Sequence, residues 1–326
     1  MPGPFPRPRP SRRTGVLFTP QYPSPEFDVI VVTTPTGQIG RQLLDRLLDA
    51  PDDAVGGLRV IARDPERLTP RARERAEVFQ GSHADPGVLA AACAGADRVF
   101  WLVPPVFRAD SVEGHFAAFT EALCEVIGSQ GVERVVAVST LGRGVAKNAG
   151  QISASLAMDD RICATGVHYR ALCPPFLMEN LLGQVPSIRD RGEFALAMGR
   201  DRVLRTCATR DIAATAARLL LDGSWSGQRD VPTVGPDALT TEEMAGVVSE
   251  VLGRPVRVRR TAPAEYRETL LRLGASEAWA QGLADMAQAL DDQDFYGIGT
   301  PSTPDTAPTS FHQWCEETLK PATRTT

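Results

Sequence analysis

The chain lacks what a membrane, a nucleic acid or a metal ion would require of it. No apolar run among its 326 residues approaches the roughly 20 residues that span a bilayer. Its first residues have no apolar stretch of the kind that forms a secretory signal, so export is not expected and a cytoplasmic location is. A surplus of basic charge is also missing, since 35 Lys and Arg stand against 40 Asp and Glu for a formal net charge of -5. Without clustered cations to displace counterions from phosphates, a nucleic-acid partner is not expected. The six cysteines, Cys93, Cys124, Cys163, Cys173, Cys207 and Cys315, never fall into C-x-x-C spacing. Most lie in apolar stretches, where a thiol packs as a small hydrophobe, and they are expected to be reduced and buried. The histidines, His83, His115, His168 and His312, form neither H-x-x-x-H nor H-E-x-x-H, so no metal is expected.

What is present is material for a large core, with 43% hydrophobic residues. Residues 1–25 hold eight prolines and four arginines with no acid. Such a composition cannot pack and predicts a disordered extension, either a docking tail or a solvated segment ahead of a domain that begins near Glu26. From there strand and helix patterns alternate. A continuous β-branched run over 27–33 predicts a buried parallel strand, and Ile39, Leu43, Leu44, Leu47 and Leu48 then share one face of a helix over 38–50. Strands follow at 58–62, near 77–80, and at 98–103, 134–139 and 169–173, with helices at 86–94, 112–129 and 155–164. This alternation predicts an α/β fold with a doubly wound parallel sheet, the Rossmann architecture, over 26–185. Beyond Pro186 the rhythm loosens into a smaller, mainly helical C-terminal cap over 186–326. Helices are expected at 211–221, 241–252, twice within 263–290, and at 311–319, with strands at 231–234 and 256–259. Thr240 and Glu243 have capping-box spacing, and Ser310 can cap the last helix.

Directly after the first strand stands Thr33-Thr34-Pro35-Thr36-Gly37-Gln38-Ile39-Gly40, leading into the helix. A glycine turn there lets the backbone approach a pyrophosphate, which the free N–H groups and partial positive charge of the helix start would bind. A tight βα turn with no ligand has the same pattern. With this loop, Trp101-Leu102-Val103-Pro104-Pro105, Val138-Ser139-Thr140 and Pro174-Pro175-Phe176-Leu177-Met178-Glu179-Asn180, the chain resembles the NmrA-like family of atypical short-chain dehydrogenases over roughly 27–320. The family loop normally reads G-x-x-G-x-x-G, and Thr34 replaces its first glycine. With Pro35 next, Thr34 is expected in extended conformation.

The resemblance implies a nicotinamide dinucleotide held by Thr34, Thr36, Gly37, Gln38, Ile39, Gly40 and Arg63. It extends that site to Ser82, Val103, Pro104, Pro105, Ser139, Pro174, Phe176, Met178 and Asn180, the last two near the nicotinamide. Arg63 stands where an acid would accept the ribose hydroxyls of NAD, so NADP(H) is favoured over NAD(H); a solvated arginine is the other reading. Ser82 falls where the family often carries an aspartate near the adenine.

Ordinary short-chain dehydrogenases pair a serine with Y-x-x-x-K. Ser139 occupies the serine position, but the tyrosine and lysine positions read Gln151 and Ser155, neither suited to proton transfer near neutrality. Ser139 and Tyr169 are the remaining catalytic candidates. His168, adjoining a strand end, and the Asp159-Asp160 pair are expected to be structural, the aspartates solvated. Met178, Leu181, Leu182, Tyr266, Trp279, Met286, Phe295 and Tyr296 offer apolar material for a pocket or for plain core. Two functions stay open: a reductase passing hydride to a small hydrophobic acceptor (an iminium ion, a quinone or a conjugated carbonyl), or a dinucleotide-binding redox sensor without turnover.

Overall fold

A computed structural model of the chain describes residues 28–51, 54–199, 202–293, 295–296 and 299–324. The expected extension over 1–25 and the start of the first expected strand lie outside the described residues.

In the first half, strands β1 (Val29–Thr33), β2 (Gly57–Ala62), β3 (Glu77–Gln80), β4 (Arg98–Trp101), β5 (Arg134–Val138) and β6 (His168–Cys173) alternate with helices. The helices are α1 (Gln38–Asp49), α2 (Pro70–Arg75), α3 (Pro86–Cys93), α4 (Val112–Gln130) and α5 (Gln151–Ala164). After a two-residue strand β7 (Phe176–Leu177) come α6 (Val185–Arg191), β8 (Glu193–Leu196), β9 (Val203–Cys207), α7 (Thr209–Leu221), β10 (Gln228–Pro232) and β11 (Ala238–Thr240). The chain continues through α8 (Thr241–Leu252), β12 (Arg257–Arg260), α9 (Pro263–Arg272), α10 (Glu277–Gln293), α11 (Phe311–Trp314) and α12 (Lys320–Arg324).

Seven strands form one sheet in the order β10-β6-β5-β4-β1-β2-β3, every neighbouring pair parallel. A sheet covered on both faces needs apolar residues at successive positions, and β1 supplies them. Ile30 and Val32 face the layer of α1, α2 and α7, while Val31 faces the layer of α3, α4 and α5. Each such buried side chain stabilises the fold by roughly 1.5–3 kcal/mol relative to exposure. The strand order turns back between β1 and β4, and open α/β sheets bind ligands at such a point, beyond the carboxyl ends of the strands.

The C-terminal region is helical, as expected, and carries two small sheets as well, β11-β9-β7 and β12-β8. Its core gathers Phe194, Met244, Val248, Phe311 and Trp314. The capping box at Thr240 and Glu243 forms with both reciprocal hydrogen bonds, and Ser310 accepts from the Gln313 amide.

Three local expectations are corrected. The strand expected at 231–234 in the cap is β10, running 228–232, and it joins the main sheet beside β6; periodicity marks a strand but not its neighbour. Helix α5 starts at Gln151 rather than 155. Gly150, at φ +49, turns the chain there, and a Cβ on it would lie 1.9 Å from the Gly282 carbonyl oxygen of α10. Finally, the helix expected over 311–319 is interrupted by a π-turn over Cys315–Leu319. All six cysteines are free thiols; Cys124 and Cys163 are only partly buried, packed at the margin of the core where α4 meets α5. No helix among the described residues is long and apolar enough to cross a membrane.

Candidate functional site

The loop between β1 and α1 departs from its sequence expectation. Thr34 has φ +51, the left-handed conformation that a glycine would supply, and not the extended one that the following proline predicted. Local preference yields because the loop must close onto the helix: the Gly37 amide donates to the Thr34 carbonyl at 3.0 Å. A Cβ on Gly40 would come within 2.1 Å of that carbonyl oxygen, so the first turn of α1 packs on the loop at a distance only glycine allows. Gly37, the N-cap, brings no side chain to the helix start, so the leading N–H groups of α1 have no side-chain cap. The Thr34 hydroxyl beside them is buried without a hydrogen-bond partner. An uncapped helix start, a backbone approach with no room for a Cβ, and an unpartnered buried hydroxyl together fit a pyrophosphate.

From Ile39 on this helix opens a cavity of about 600 Å³ over the carboxyl ends of the parallel strands. Its inner wall is formed by Val103, Pro105, Ser139, Pro174, Phe176 and Asn180, all expected for the cofactor site. Gln151 and Ser155, the positions that lack tyrosine and lysine, line it as well. The outer wall comes from the second half through Met198, Tyr266, Leu270, Met286, Leu290 and Tyr296. Among the described residues that line it, none is Asp, Glu, Lys, Arg or His.

Behind the Ser139 wall lies a buried polar network. Ser139 donates to Asp159 at 2.5 Å, and the Tyr169 hydroxyl donates to its other oxygen at 2.6 Å. Arg143 donates to Asp159 at 3.0 Å and to Asp160 at 2.6 Å, and pairs with Asp230 at 3.0 Å. Asp159 is thus fully buried, against the expectation of a solvated pair; only Asp160 meets solvent. The physical reason is helical phase. Gln151, Ser155 and Asp159 are spaced by four along α5 and share the face turned to the strand ends. Burial pushes the Asp159 carboxyl up to about 6, against the pull of Ser139, Tyr169 and Arg143.

Thr36, Gly37 and Gln38 stand at the head of α1, and Arg63 is exposed just past the end of β2, paired with no described carboxylate. Ser82 closes a turn, accepting from the Ala84 amide at 3.2 Å. Pro104 presents its carbonyl oxygen to a His115 ring nitrogen at 2.8 Å. Tyr169 is buried with Asp159 and does not line the cavity, and His168 accepts from the Gly227 amide at the far end of its strand. Met178 does not line the cavity either: it is fully buried with Leu181 in the C-terminal core, because the chain turns inward after β7. Of the apolar candidates, Tyr266, Met286 and Tyr296 reach the cavity, whereas Trp279 packs edge-on against Phe107 and His115. Sequence reasoning missed Thr140 as a partner of Tyr296, whose hydroxyls lie 2.6 Å apart in the cavity wall. Its one signal was the Phe295-Tyr296 pair at the start of an otherwise polar stretch.

Comparison with known proteins follows this geometry. Residues 35–222 match the NAD(P)H-binding family. The chain is 30% identical to a (4-alkanoyl-5-oxo-2,5-dihydrofuran-3-yl)methyl phosphate reductase of Streptomyces griseus, over 74% of this chain and 80% of the relative. It is 29% identical to an NAD(P)H azoreductase of Xenophilus azovorans, over 79% of this chain and 86% of the relative. Among solved structures, the triphenylmethane reductase of Citrobacter sp. complexed with NADP(H) superposes with a TM-score of 0.69 at 19% identity, covering 90% of this chain and 99% of the other. At that identity the likeness speaks to the fold.

Proposed function

The chain belongs to the NAD(P)H-binding family, and from that membership we propose that it is an NAD(P)H-dependent oxidoreductase that reduces a small, hydrophobic, uncharged or charge-delocalised acceptor. The observation that carries the reading is the 600 Å³ cavity itself, which opens at Ile39 in the first turn of α1, crosses the strand ends and has no ionic side chain among the described residues of its wall. When bound, the dinucleotide supplies the hydride. Gly37, Gln38 and Gly40 would hold its pyrophosphate, and Val103, Pro105, Ser139, Pro174, Phe176 and Asn180 would line the path to its reacting ring. The apolar outer wall excludes water and presses a flat acceptor against that ring, so positioning contributes most of what the protein adds. The described wall residues offer no cation as counter-charge to a phosphate ester, so an acceptor without a phosphate is favoured over one like the phosphorylated compound named for the Streptomyces griseus relative. The azo and triphenylmethane compounds named for the other two proteins are conjugated molecules that carry no phosphate in their names, the class this wall suits.

Preference for NADP(H) rests on Arg63, an exposed guanidinium past β2 that can meet a 2'-phosphate with paired N–H groups. Arg63→Ala is expected to weaken NADPH about tenfold or more while changing NADH by less than about threefold, read by fluorescence titration. Equal losses for both would remove the 2'-phosphate assignment. The same titration, followed by NADPH oxidation with a quinone, an azo dye and a triphenylmethane dye, tests the function. Binding with turnover is the expected result; binding without turnover on any of them would favour the redox-sensor reading.

A further inference from the structure

A carbonyl acceptor needs a proton as well as a hydride, and the two positions where short-chain dehydrogenases keep their tyrosine and lysine are Gln151 and Ser155. Ser139 has its hydroxyl hydrogen engaged by Asp159, and Tyr169 is sealed behind the wall. A different phenol stands in the cavity. Tyr296 enters from the segment after α10, and its hydroxyl lies 2.6 Å from that of Thr140, the residue after Ser139 at the end of β5. Its backbone is fixed by the Arg205 amide of β9, which donates to the Tyr296 carbonyl at 2.9 Å. Its ring meets Phe295 edge-on at 5.2 Å, and Phe295 is itself buried against Ala149 and Ile152 at the start of α5.

We propose that Tyr296 is the acid that protonates the acceptor oxygen, with Thr140 orienting its hydroxyl, so that the C-terminal segment supplies the tyrosine that α5 lacks. The assignment rests on the oxidoreductase reading. The acceptor gains a hydride from the reduced dinucleotide at carbon and its π pair moves onto oxygen. There it takes the proton as the Tyr296 O–H bond breaks and the product O–H bond forms. Thr140 turns its own hydrogen toward the phenolate left behind, and water returns the proton when the product leaves. Burial pushes the Tyr296 phenol up to about 12, with the Thr140 bond working the other way, which keeps the acid form in place through neutral pH.

A cationic triphenylmethane dye is the natural control, because hydride alone completes its reduction and no proton is needed. Tyr296→Phe is therefore expected to shift the ratio of naphthoquinone to dye reduction by about 10²-fold toward the dye, the usual contribution of a general acid. An unchanged ratio would overturn the assignment, as would the same shift in Tyr266→Phe, the other tyrosine among the described residues of the wall. A second readout needs no turnover. Benzamide, a non-reducible carbonyl compound, should bind the wild type about tenfold more tightly than Tyr296→Phe by calorimetry, through the same hydrogen bond. Equal benzamide affinities would also overturn it. Should the wild type reduce neither acceptor, the oxidoreductase reading falls, and the benzamide comparison still decides whether Tyr296 presents its hydroxyl to a bound oxygen.

Discussion

Thr34 carries the conformational cost of the loop between β1 and α1. A β-branched residue at φ +51 is strained by roughly 1–3 kcal/mol, and its hydroxyl is buried without a partner. Thr34→Gly removes both liabilities at the expense of about 0.4–1 kcal/mol of added unfolded-state entropy. A net stabilisation on the order of 1 kcal/mol is expected from denaturant unfolding, and a loss of stability would mean that Thr34 makes contacts worth more than its strain. The two loop glycines are not equivalent. Gly40→Ala drives a Cβ into the Thr34 carbonyl at 2.1 Å, whereas at Gly37 the same atom meets it at 3.4 Å, an ordinary contact. Gly40→Ala should cost about 1–3 kcal/mol of stability, as overpacking against backbone does, and Gly37→Ala no more than about 0.5 kcal/mol. The phosphate role proposed for the loop is read from glycine spacing; which glycine cannot be replaced is a matter of how closely α1 returns to Thr34.

At the scale of elements, one carboxylate joins three of them. Glu179, in the turn after β7, accepts from the Thr209 amide with both oxygens, at 3.1 and 3.0 Å, and so completes the start of α7. It also accepts from the Trp314 indole of α11 at 3.1 Å. Burial pushes its carboxyl above the ordinary value while the Thr209 and Trp314 bonds hold it down. Hydrogen bonds to a buried charged group contribute about 1.5–3 kcal/mol each, and removing the acceptor orphans the donors. Glu179→Ala is expected to destabilise the protein by about 2–4 kcal/mol, and Glu179→Gln, which keeps one acceptor oxygen, by less; urea midpoints of the two variants check the order. Glu179 stood inside a segment conspicuous in the sequence, yet nothing local names Thr209 or Trp314 as its partners, since they lie 30 and 135 positions further along the chain.

For the molecule as a whole, Asp159 couples stability to pH. Its folded-state value lies near 6, above the ordinary 3.8, so the folded protein binds this proton more tightly than the unfolded chain does. The associated stability is full below about pH 3.8, declines as the pH rises, and is lost above about pH 6, an effect on the order of 3 kcal/mol. Denaturant midpoints of wild type and Asp159→Asn between pH 4 and 7 are expected to differ in slope, with the asparagine variant the flatter. Parallel curves would mean that Asp159 is charged throughout.

The sequence by itself determined the α/β alternation, the all-parallel sheet and the position of the glycine turn between β1 and α1. These follow from period-two and period-3.6 patterns and from glycines read over a few residues, where physical neighbours are chain neighbours. It also named most of the inner cavity wall, because strand ends in such a sheet converge on one edge. Only the tertiary structure decided that β10 closes the main sheet, that Asp159 is buried under Ser139, that Met178 turns into the C-terminal core, and that Tyr296 meets Thr140. Each of these joins segments distant in the chain, and a pairing of that kind depends on how helices and loops stack across the sheet, which no local pattern encodes.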